Sequence, residues 1–94
     1  MNSTVSKALR HIVFERDSYT CICCEYPATD IHHVVSRSNG GRNVVFNLVS
    51  LCRRCHGIHH GTISETEEGE RQYILETIWD YIVAAHPDEV GNWW

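Results

Sequence analysis

Residues 21–60 read CICCEYPATDIHHVVSRSNGGRNVVFNLVSLCRRCHGIHH, and this stretch decides the fold. It holds two cysteine pairs of the C-x-x-C type, Cys21/Cys24 and Cys52/Cys55, together with two histidine clusters, a glycine pair and an asparagine. Thiolates suit a closed, tetrahedral structural zinc site, whereas imidazoles suit a more open site that also admits a water or a phosphate oxygen. The stretch therefore carries two metal-site signatures of different chemical kinds.

The four paired cysteines are expected to hold a structural zinc ion. Two C-x-x-C pairs about thirty residues apart can close one tetrahedral site from two knuckles. A chain of 94 residues is near the lower limit for a self-sufficient core, so a metal staple in its middle suits its size. The alternative is a set of uncoordinated buried thiols. The fifth cysteine, Cys23, is expected to be a packed or partly exposed thiol rather than a ligand.

Charge is unevenly divided along the chain, whose net charge is −4 with neutral histidines. Residues 1–63 carry seven basic and four acidic side chains, a net charge of +3, and residues 64–94 carry one basic and eight acidic side chains, a net charge of −7. The first part can present a phosphate-binding face with weak nonspecific attraction. A polar N-terminus and the lack of a long apolar run predict a soluble, cytoplasmic protein without a membrane partner.

The sequence predicts three helices and two strands. Helical spacing of apolar residues indicates an N-terminal helix from about Val5 to Asp17, with Ser3 or Thr4 as its N-cap, that would cover the zinc layer. Residues rich in β-branched side chains at 31–35, and a second run at 47–51, predict strands on either side of an exposed loop at 36–43. A short helix is expected from Cys52 or Arg53 to about His60, ended by Gly61.

The C-terminal part is expected to form a longer helix and a tail. Residues 64–67 read SETE, a capping box, so the helix should begin there and run to about Ala85, where His86-Pro87 stops it. Its expected apolar face consists of Ile74, Ile78, Tyr81, Ile82 and Ala85. The helix would either cover the domain or bind a partner, and the tail with Trp93-Trp94 could dock on the domain, a second copy or another protein. We expect one domain, with residues 1–63 as the core and residues 64–94 packed on it.

Five histidines gather around the second cysteine pair, namely His32, His33, His56, His59 and His60. A lone histidine is usually a surface or satisfied core residue, but so many close together indicate a site. His32 and His33 should point to opposite strand faces unless the strand bends. His56 and His60 are four residues apart and share a helix face, whereas His59 is expected to be a surface or phosphate-contacting residue.

The segments DIHHVVSRSNGG and NLVSLCRRCH resemble the HNH endonuclease family in its zinc-knuckle bacterial and phage form. The resemblance covers roughly Arg16 to His60 and includes the order histidine, asparagine, histidine that names the family. It implies an α+β fold, a small ββα-metal (HNH) fold with flanking helices that is stapled by the four-cysteine zinc site. The final helix and the tail lie outside the resemblance.

The resemblance also implies roles for individual residues. His33 matches the general base, whose neutral imidazole can take a proton from water at physiological pH. His32 matches the metal-ligand position ahead of the base, His56 matches the last histidine and would bind the same catalytic ion, and His60 is a third candidate ligand. Asn47 matches the central asparagine, which braces the loop to aim His33 or, in some members, binds the ion.

The expected cofactors are structural Zn²⁺ and one catalytic divalent ion, which could be Mg²⁺, Mn²⁺, Zn²⁺ or Ni²⁺. Many family members have a carboxylate where this chain has His32, and an all-nitrogen ligand set favours Zn²⁺, Ni²⁺ or Mn²⁺ over Mg²⁺. Arg37 and Arg42 in the glycine-rich loop, and Arg53 and Arg54 beside the second cysteine pair, are candidates for DNA phosphate contacts. Surface arginines without such a role are equally common.

The leading hypothesis is a metal-dependent HNH endonuclease that nicks or cleaves double-stranded DNA by hydrolysis of phosphodiester bonds. The alternative is a noncatalytic zinc-ribbon module that binds nucleic acid, with incidental histidines. A third hypothesis is a subunit of a larger assembly, since small phage HNH proteins resemble this chain and act beside the genome-packaging machinery. Phage packaging proteins or a second copy of the chain are then further candidate partners, in the cytoplasm of a bacterial host.

Overall fold

A computed structural model describes residues 5–94, and its architecture is α+β. Within these residues the structure contains two strands and three helices, namely α1 (Lys7–Arg16), β1 (Asp30–His33), β2 (Leu48–Leu51), α2 (Arg53–His60) and α3 (Glu70–Ala85). Short 3-10 turns occupy Arg37–Asn39, Val45–Asn47 and Pro87–Glu89. Strands β1 and β2 pair antiparallel, with His33 opposite Leu48, and α2 follows directly. The predicted fold class, a ββα unit with flanking helices, is confirmed.

Helix α1 is capped by Ser6, whose side-chain oxygen accepts a hydrogen bond of 3.1 Å from the Leu9 amide. The predicted caps, Ser3 and Thr4, lie outside the described residues. A serine oxygen satisfies one of the helix N–H groups that lack an intrahelical acceptor, which explains why the helix begins at Lys7.

The expectation that α1 covers the cysteine layer is wrong. Val13 of α1 packs with Leu48 of β2, whereas the buried cysteines pack with Val49 and Leu51 of the same strand. Because successive side chains of a strand point to opposite faces, Leu48 and Val49 lie on different sides of the hairpin. Helix α1 therefore covers the hairpin face that is turned away from the cysteines.

Helix α3 covers the cysteine side instead. Its residues Ile74, Ile78 and Ile82 are spaced by four, are at most 2% exposed and share one apolar cluster with three of the paired cysteines. Tyr81 lies partly buried beside this cluster, while Ala85 is exposed, so the apolar face is narrower than predicted. No helix within residues 5–94 combines the length and the apolarity needed to cross a membrane.

Helix α3 begins later than the sequence predicted. The expected capping box at 64–67 does not start the helix, which begins at Glu70 after Gly69. Gly69 has a left-handed backbone with φ of 86°. The right-handed helix therefore cannot extend through Gly69 to the residues that precede it. The Glu65 carboxylate instead accepts a hydrogen bond of 2.7 Å from the Arg71 amide in the first turn. This contact places a negative charge at the positive end of the helix.

Asp17 links α1, β2 and α3 from a buried position. Its carboxylate oxygens accept two hydrogen bonds from the Arg16 guanidinium, at 2.7 and 2.9 Å, one from the Ser50 amide at 2.9 Å, and one from the Tyr81 hydroxyl. Burial raises the pKa of Asp17, but the hydrogen bonds from Arg16 and Tyr81 lower it by more. The net result is a pKa below the ordinary value of an aspartate. The buried charge is therefore paired on all sides.

The C-terminal tail docks on the chain itself. Trp93 is 8% exposed, its ring packs edge-on against Trp79 at 5.0 Å between centroids, and its carbonyl accepts a hydrogen bond of 2.9 Å from the Arg42 amide. Trp94 remains 59% exposed. Of the docking possibilities that the sequence left open, the structure shows contact of Trp93 with α3 and with the loop that follows β1.

Candidate metal centres and active site

The four paired cysteines form a compact cluster at the start of α2. The Sγ atoms of Cys21, Cys24, Cys52 and Cys55 all lie within 4.8 Å of one another, and those of Cys24 and Cys52 are 3.6 Å apart. A tetrahedral zinc ion with Zn–S bonds of about 2.3 Å holds its sulfur atoms about 3.8 Å apart. The donor set therefore fits a structural metal, and the cluster could bind one.

Cys23 lies beside this cluster and outside the set of four. It is partly buried, and its Sγ atom donates a weak hydrogen bond of 4.0 Å to the Ile74 carbonyl of α3. A hydrogen bond between Cys23 and Cys21, together with burial, raises the pKa of the Cys23 thiol. The same hydrogen bond lowers the pKa of Cys21 to about 4. The expected packed thiol is thus a neighbour of a thiolate.

Three histidines converge on the other side of α2. One imidazole nitrogen from each of His32, His56 and His60 lies within 4.8 Å of the other two. The two Nε2 atoms of His56 and His60, one helical turn apart, are separated by 3.1 Å. Imidazoles that share a metal through bonds of about 2.0–2.1 Å hold their nitrogens about 3.4 Å apart in tetrahedral geometry. These residues fit a divalent cation, and their all-nitrogen donor set matches Zn²⁺, Ni²⁺ or Mn²⁺.

The environment of His32 and His60 favours their neutral forms, which is the state that binds metal. His32 is 5% exposed, and burial, followed by the charges of the neighbouring histidines, lowers its pKa to about 2. Burial and the proximity of His56 likewise lower the pKa of His60. The lowered pKa values of His32 and His60 leave their ring nitrogens available to accept a cation.

Asp30 fixes the orientation of His56. Its Oδ2 atom lies 2.8 Å from Nδ1 of His56 and 3.2 Å from Nε of Arg53. A carboxylate accepts hydrogen bonds, so Nδ1 carries the proton and the lone pair of Nε2 faces His60. The sequence interpretation missed this role of Asp30. Its spacing of two from His32 on β1, which places both on one strand face, was the signal that could have revealed it.

His33 stands at the end of β1, next to the three converging histidines. Its Nε2 atom lies 2.7 Å from Oδ1 of Asn43, and an amide oxygen can only accept, so Nε2 donates and Nδ1 keeps its lone pair. His32 and His33 line one small cavity of about 210 Å³ together with His56 and His60. The strand ends at His33, so the two neighbouring imidazoles reach the same space.

Asn47 is fully buried and braces the loop between the strands. Its Oδ1 atom accepts a hydrogen bond of 2.8 Å from the Val35 amide, and its Nδ2 atom donates to the carbonyls of Val35 at 3.1 Å and Arg42 at 2.9 Å. A Cβ atom at Gly41 would lie 1.7 Å from the Val35 carbonyl oxygen, so this close approach requires glycine. Of the two roles left open for Asn47, the geometry favours bracing over ion binding.

His59, which the sequence predicted as a surface or phosphate-contacting residue, is half-buried and lines two cavities. Its ring lies 4.5 Å from that of His32 between centroids, and its Nδ1 atom is buried without a hydrogen-bond partner among residues 5–94. Burial, followed by the charges of His60 and His56, lowers its pKa. Position 59 is three residues after His56, so it flanks the face of α2 that meets β1. The structure therefore places His59 against the histidine cluster.

Two of the four candidate arginines border this cluster. Arg37 lines the small cavity and donates a hydrogen bond of 2.7 Å from Nη1 to the Gly41 carbonyl. Arg53 contacts Asp30 while 79% of its side chain stays exposed. Both guanidinium groups can therefore approach a phosphate held at the histidines.

The other two arginines contact C-terminal segments. Arg54 forms an ion pair of 2.8 Å with Glu70 at the start of α3. Arg42 donates a hydrogen bond of 3.2 Å to the Asn92 carbonyl, and its guanidinium lies 5.7 Å from the Phe46 ring centroid. The structure therefore does not bring Arg42 and Arg54 to the histidine cluster.

Comparisons with known proteins agree with this architecture. The family model described as HNH endonuclease matches residues 21–62. The solved structure of the type IV phosphorothioation-dependent restriction endonuclease ScoMcrA is similar over 83% of this chain, with a TM-score of 0.54 and 20% sequence identity, which shows a shared fold. This chain spans 19% of the length of that protein. A search of curated proteins finds no match.

Proposed function

We propose that this chain, whose residues 21–62 match the family model described as HNH endonuclease, is a metal-dependent nuclease that hydrolyses phosphodiester bonds of double-stranded DNA. The observation that carries the proposal is the convergence of His32, His56 and His60 within 4.8 Å, with His33 lining the same cavity. A noncatalytic module has no need for three imidazoles at ligand spacing beside a fourth, His33, whose ring is oriented by Asn43.

In this proposal the three converging histidines hold one divalent cation. When bound, the cation supplies positive charge to a nonbridging phosphate oxygen and to the leaving 3′ oxygen. Asp30 holds the proton of His56 on Nδ1 and so keeps the Nε2 lone pair directed at the site. A structural zinc ion held by Cys21, Cys24, Cys52 and Cys55 would fix the start of α2 and would take no part in the reaction.

His33 is proposed as the general base. Its Nε2 proton is held by Asn43, so Nδ1 accepts a proton from the attacking water. The oxygen of that water forms a bond to phosphorus, the bond between phosphorus and the 3′ oxygen breaks, and the departing 3′ oxygen takes a proton from solvent water. Asn47 acts as a positioning residue, because it fixes Val35 two residues after the base and touches no reacting atom.

The proposed DNA contacts follow from the placement of the arginines. Arg37 and Arg53 lie next to the histidine cluster and are proposed to bind the phosphates on either side of the scissile bond. Arg42 and Arg54 would have to leave their present partners, Asn92 and Glu70, to contact DNA. We therefore propose a smaller contribution from these two to DNA binding.

Several finer elements of the proposal rest on the sequence resemblance alone. They are an origin in a phage, action in the cytoplasm of a bacterial host, and association with a second copy or with genome-packaging proteins. Whether the enzyme nicks DNA or cuts both strands depends on that association, because one active site cuts one strand at a time. Co-purification from cells that express the tagged chain tests for partners directly.

A plasmid-nicking assay tests the proposed function. Protein treated with a mild chelator should be inactive on supercoiled plasmid and should regain nicking when Mn²⁺, Ni²⁺, Zn²⁺ or Mg²⁺ is added. His33→Ala should abolish nicking, whereas His11→Ala, a matched change at an exposed histidine of α1, should not. Full activity of the His33→Ala protein would sink the assignment of the base. Binding without any cleavage, with one metal per chain, would favour the zinc-ribbon alternative.

A further inference from the structure

A larger cavity of about 720 Å³ opens beside the histidine cluster. It shares His33 and His60 with the proposed active site, so any group held in it lies next to the scissile phosphate. Its lining also includes apolar and aromatic side chains, among them Leu75, Trp79 and Trp94. The volume exceeds what the reacting phosphate needs, and the hydrolysis itself gives no role to these aromatic side chains.

The charge of this cavity suits a nucleic acid. Its lining contains Arg71 and four histidines but no aspartate or glutamate side chain, although the whole chain has a net charge of −4. A neighbouring cavity of similar size, about 730 Å³, shares His59 and Arg71 with it but is also lined by Glu65 and Glu68. The cavity without carboxylates is thus the one that better suits a polyanion.

Trp94 offers a flat aromatic surface at the edge of this cavity. It is 59% exposed, and its ring lies 5.9 Å from that of Trp93 between centroids. Trp93 is itself held by the buried contact with Trp79 and by the hydrogen bond from Arg42. An exposed indole on an anchored neighbour is already in place for stacking, so little further ordering is required on binding.

We propose that this cavity binds a nucleobase of the strand being cut, stacked on the indole of Trp94, with the adjoining phosphate directed to Arg71. The inference rests on the proposed function and adds a substrate class to it. A base can stack on a protein side chain only after it leaves the duplex stack, and this step costs least where the base is already unpaired. The preferred substrate is therefore DNA with unpaired nucleotides next to the cut, such as a flap, a gap or a frayed end.

Binding is tested in the His33→Ala background, which should not cut DNA. Fluorescence anisotropy of a labelled oligothymidine should give about tenfold weaker affinity when Trp94→Ala is added. Trp94→Phe should keep most of the affinity, because a phenyl ring still stacks, but should lose much of the tryptophan quenching that DNA causes. Tyr73→Ala is the matched control, since Tyr73 of α3 is also 59% exposed and lines neither cavity.

Cleavage is then compared on two duplexes of one sequence, one fully paired and one with two unpaired nucleotides beside the cut. The wild-type protein should prefer the second, and Trp94→Ala should remove that preference while Tyr73→Ala keeps it. Unchanged affinity in the Trp94→Ala protein, or equal affinity for paired and unpaired DNA, overturns the inference. Stacking on Trp94 without cleavage by the wild-type protein would contradict the proposed function and leave the nucleobase site standing.

Discussion

The Nε2 atom of His33 lies 2.7 Å from the Oδ1 atom of Asn43, a residue of the loop that follows β1. This contact decides which nitrogen of His33 can serve as a base, because the amide oxygen only accepts and so holds the proton on Nε2. It also ties the ring to the loop that Asn47 braces from the other side. Two asparagines thus fix the proposed base, one through its ring and one through the backbone that follows it.

Removal of the Asn43 amide should lower kcat more than it raises KM. Asn43→Ala leaves the ring of His33 free to rotate and to change tautomer, and we expect a loss of about tenfold to hundredfold, part of what a general base contributes. Asn43→Asp retains an acceptor at this position and should keep most of the activity. A full loss in the Asp variant with full activity in the Ala variant would contradict this role of Asn43.

Asp30→Asn should weaken the histidine metal site without unfolding the chain. The carboxylate that fixes His56 is replaced by a weaker acceptor, so affinity for Mn²⁺ should fall about tenfold to hundredfold. The measurement is a calorimetric Mn²⁺ titration of protein whose cysteine site is filled with zinc. Arg53→Ala removes the other side chain of α2 that contacts Asp30, and it should change the Mn²⁺ affinity less. Unchanged Mn²⁺ affinity in the Asp30→Asn protein would contradict this role of Asp30.

The cysteine cluster should be required for folding. Cys21→Ala removes a fully buried ligand and should abolish both bound zinc and the cooperative thermal transition in circular dichroism. Cys23→Ser is the control, because Cys23 lies outside the four sulfur atoms that share the site. It should retain one zinc ion per chain under mild chelation. A cooperative transition in the metal-free Cys21→Ala protein would show that the apolar core suffices.

The contact between Tyr81 and Asp17 should appear in the alkaline stability of the protein. Burial and the hydrogen bond to Asp17 raise the pKa of Tyr81 to about 12. A group whose pKa is raised in the folded state stabilises it fully below the unfolded pKa, and this contribution is lost as pH rises through the folded pKa. The free energy of unfolding should therefore fall between pH of about 10 and about 12, measured by urea denaturation.

Tyr81→Phe should remove most of that dependence and should lower the free energy of unfolding at neutral pH by about 1.5–3 kcal/mol, the range for a hydrogen bond to a charged group. Tyr26→Phe, at a tyrosine that is 71% exposed, serves as the control. An alkaline decline of equal steepness in the wild-type and Tyr81→Phe proteins would contradict the linkage.

Local signals in the sequence predicted the fold class and the end of α2. The cysteine spacing and the histidine order are compact patterns, and Gly61, with φ of 82°, ends α2 where the sequence placed its end. The packing partner of α1 was not predictable, because Val13 and Leu48 meet only after the hairpin has formed. The predicted start of α3 was wrong for a related reason. A capping box cannot show that a glycine further along the chain adopts a left-handed backbone.

The sequence predicted the main residues of the candidate site but not the residues that orient them. The pattern identified His32, His33 and His56, and the i,i+4 relation added His60, all of which the structure brings to one cavity. Asp30 and Asn43 were missed because their roles depend on distances across the hairpin and its loop. The buried contact of His59 with His32 was missed because helical spacing gives the direction of a side chain but not the element that packs against it.

Anomalous diffraction can show whether three imidazoles share one cation beside the proposed base. Crystals grown with Mn²⁺ and measured at the manganese edge should show one strong peak about 2.0–2.2 Å from nitrogens of His32, His56 and His60, with His33 uncoordinated. A manganese peak elsewhere, or coordination of His33 in place of these residues, would contradict the account.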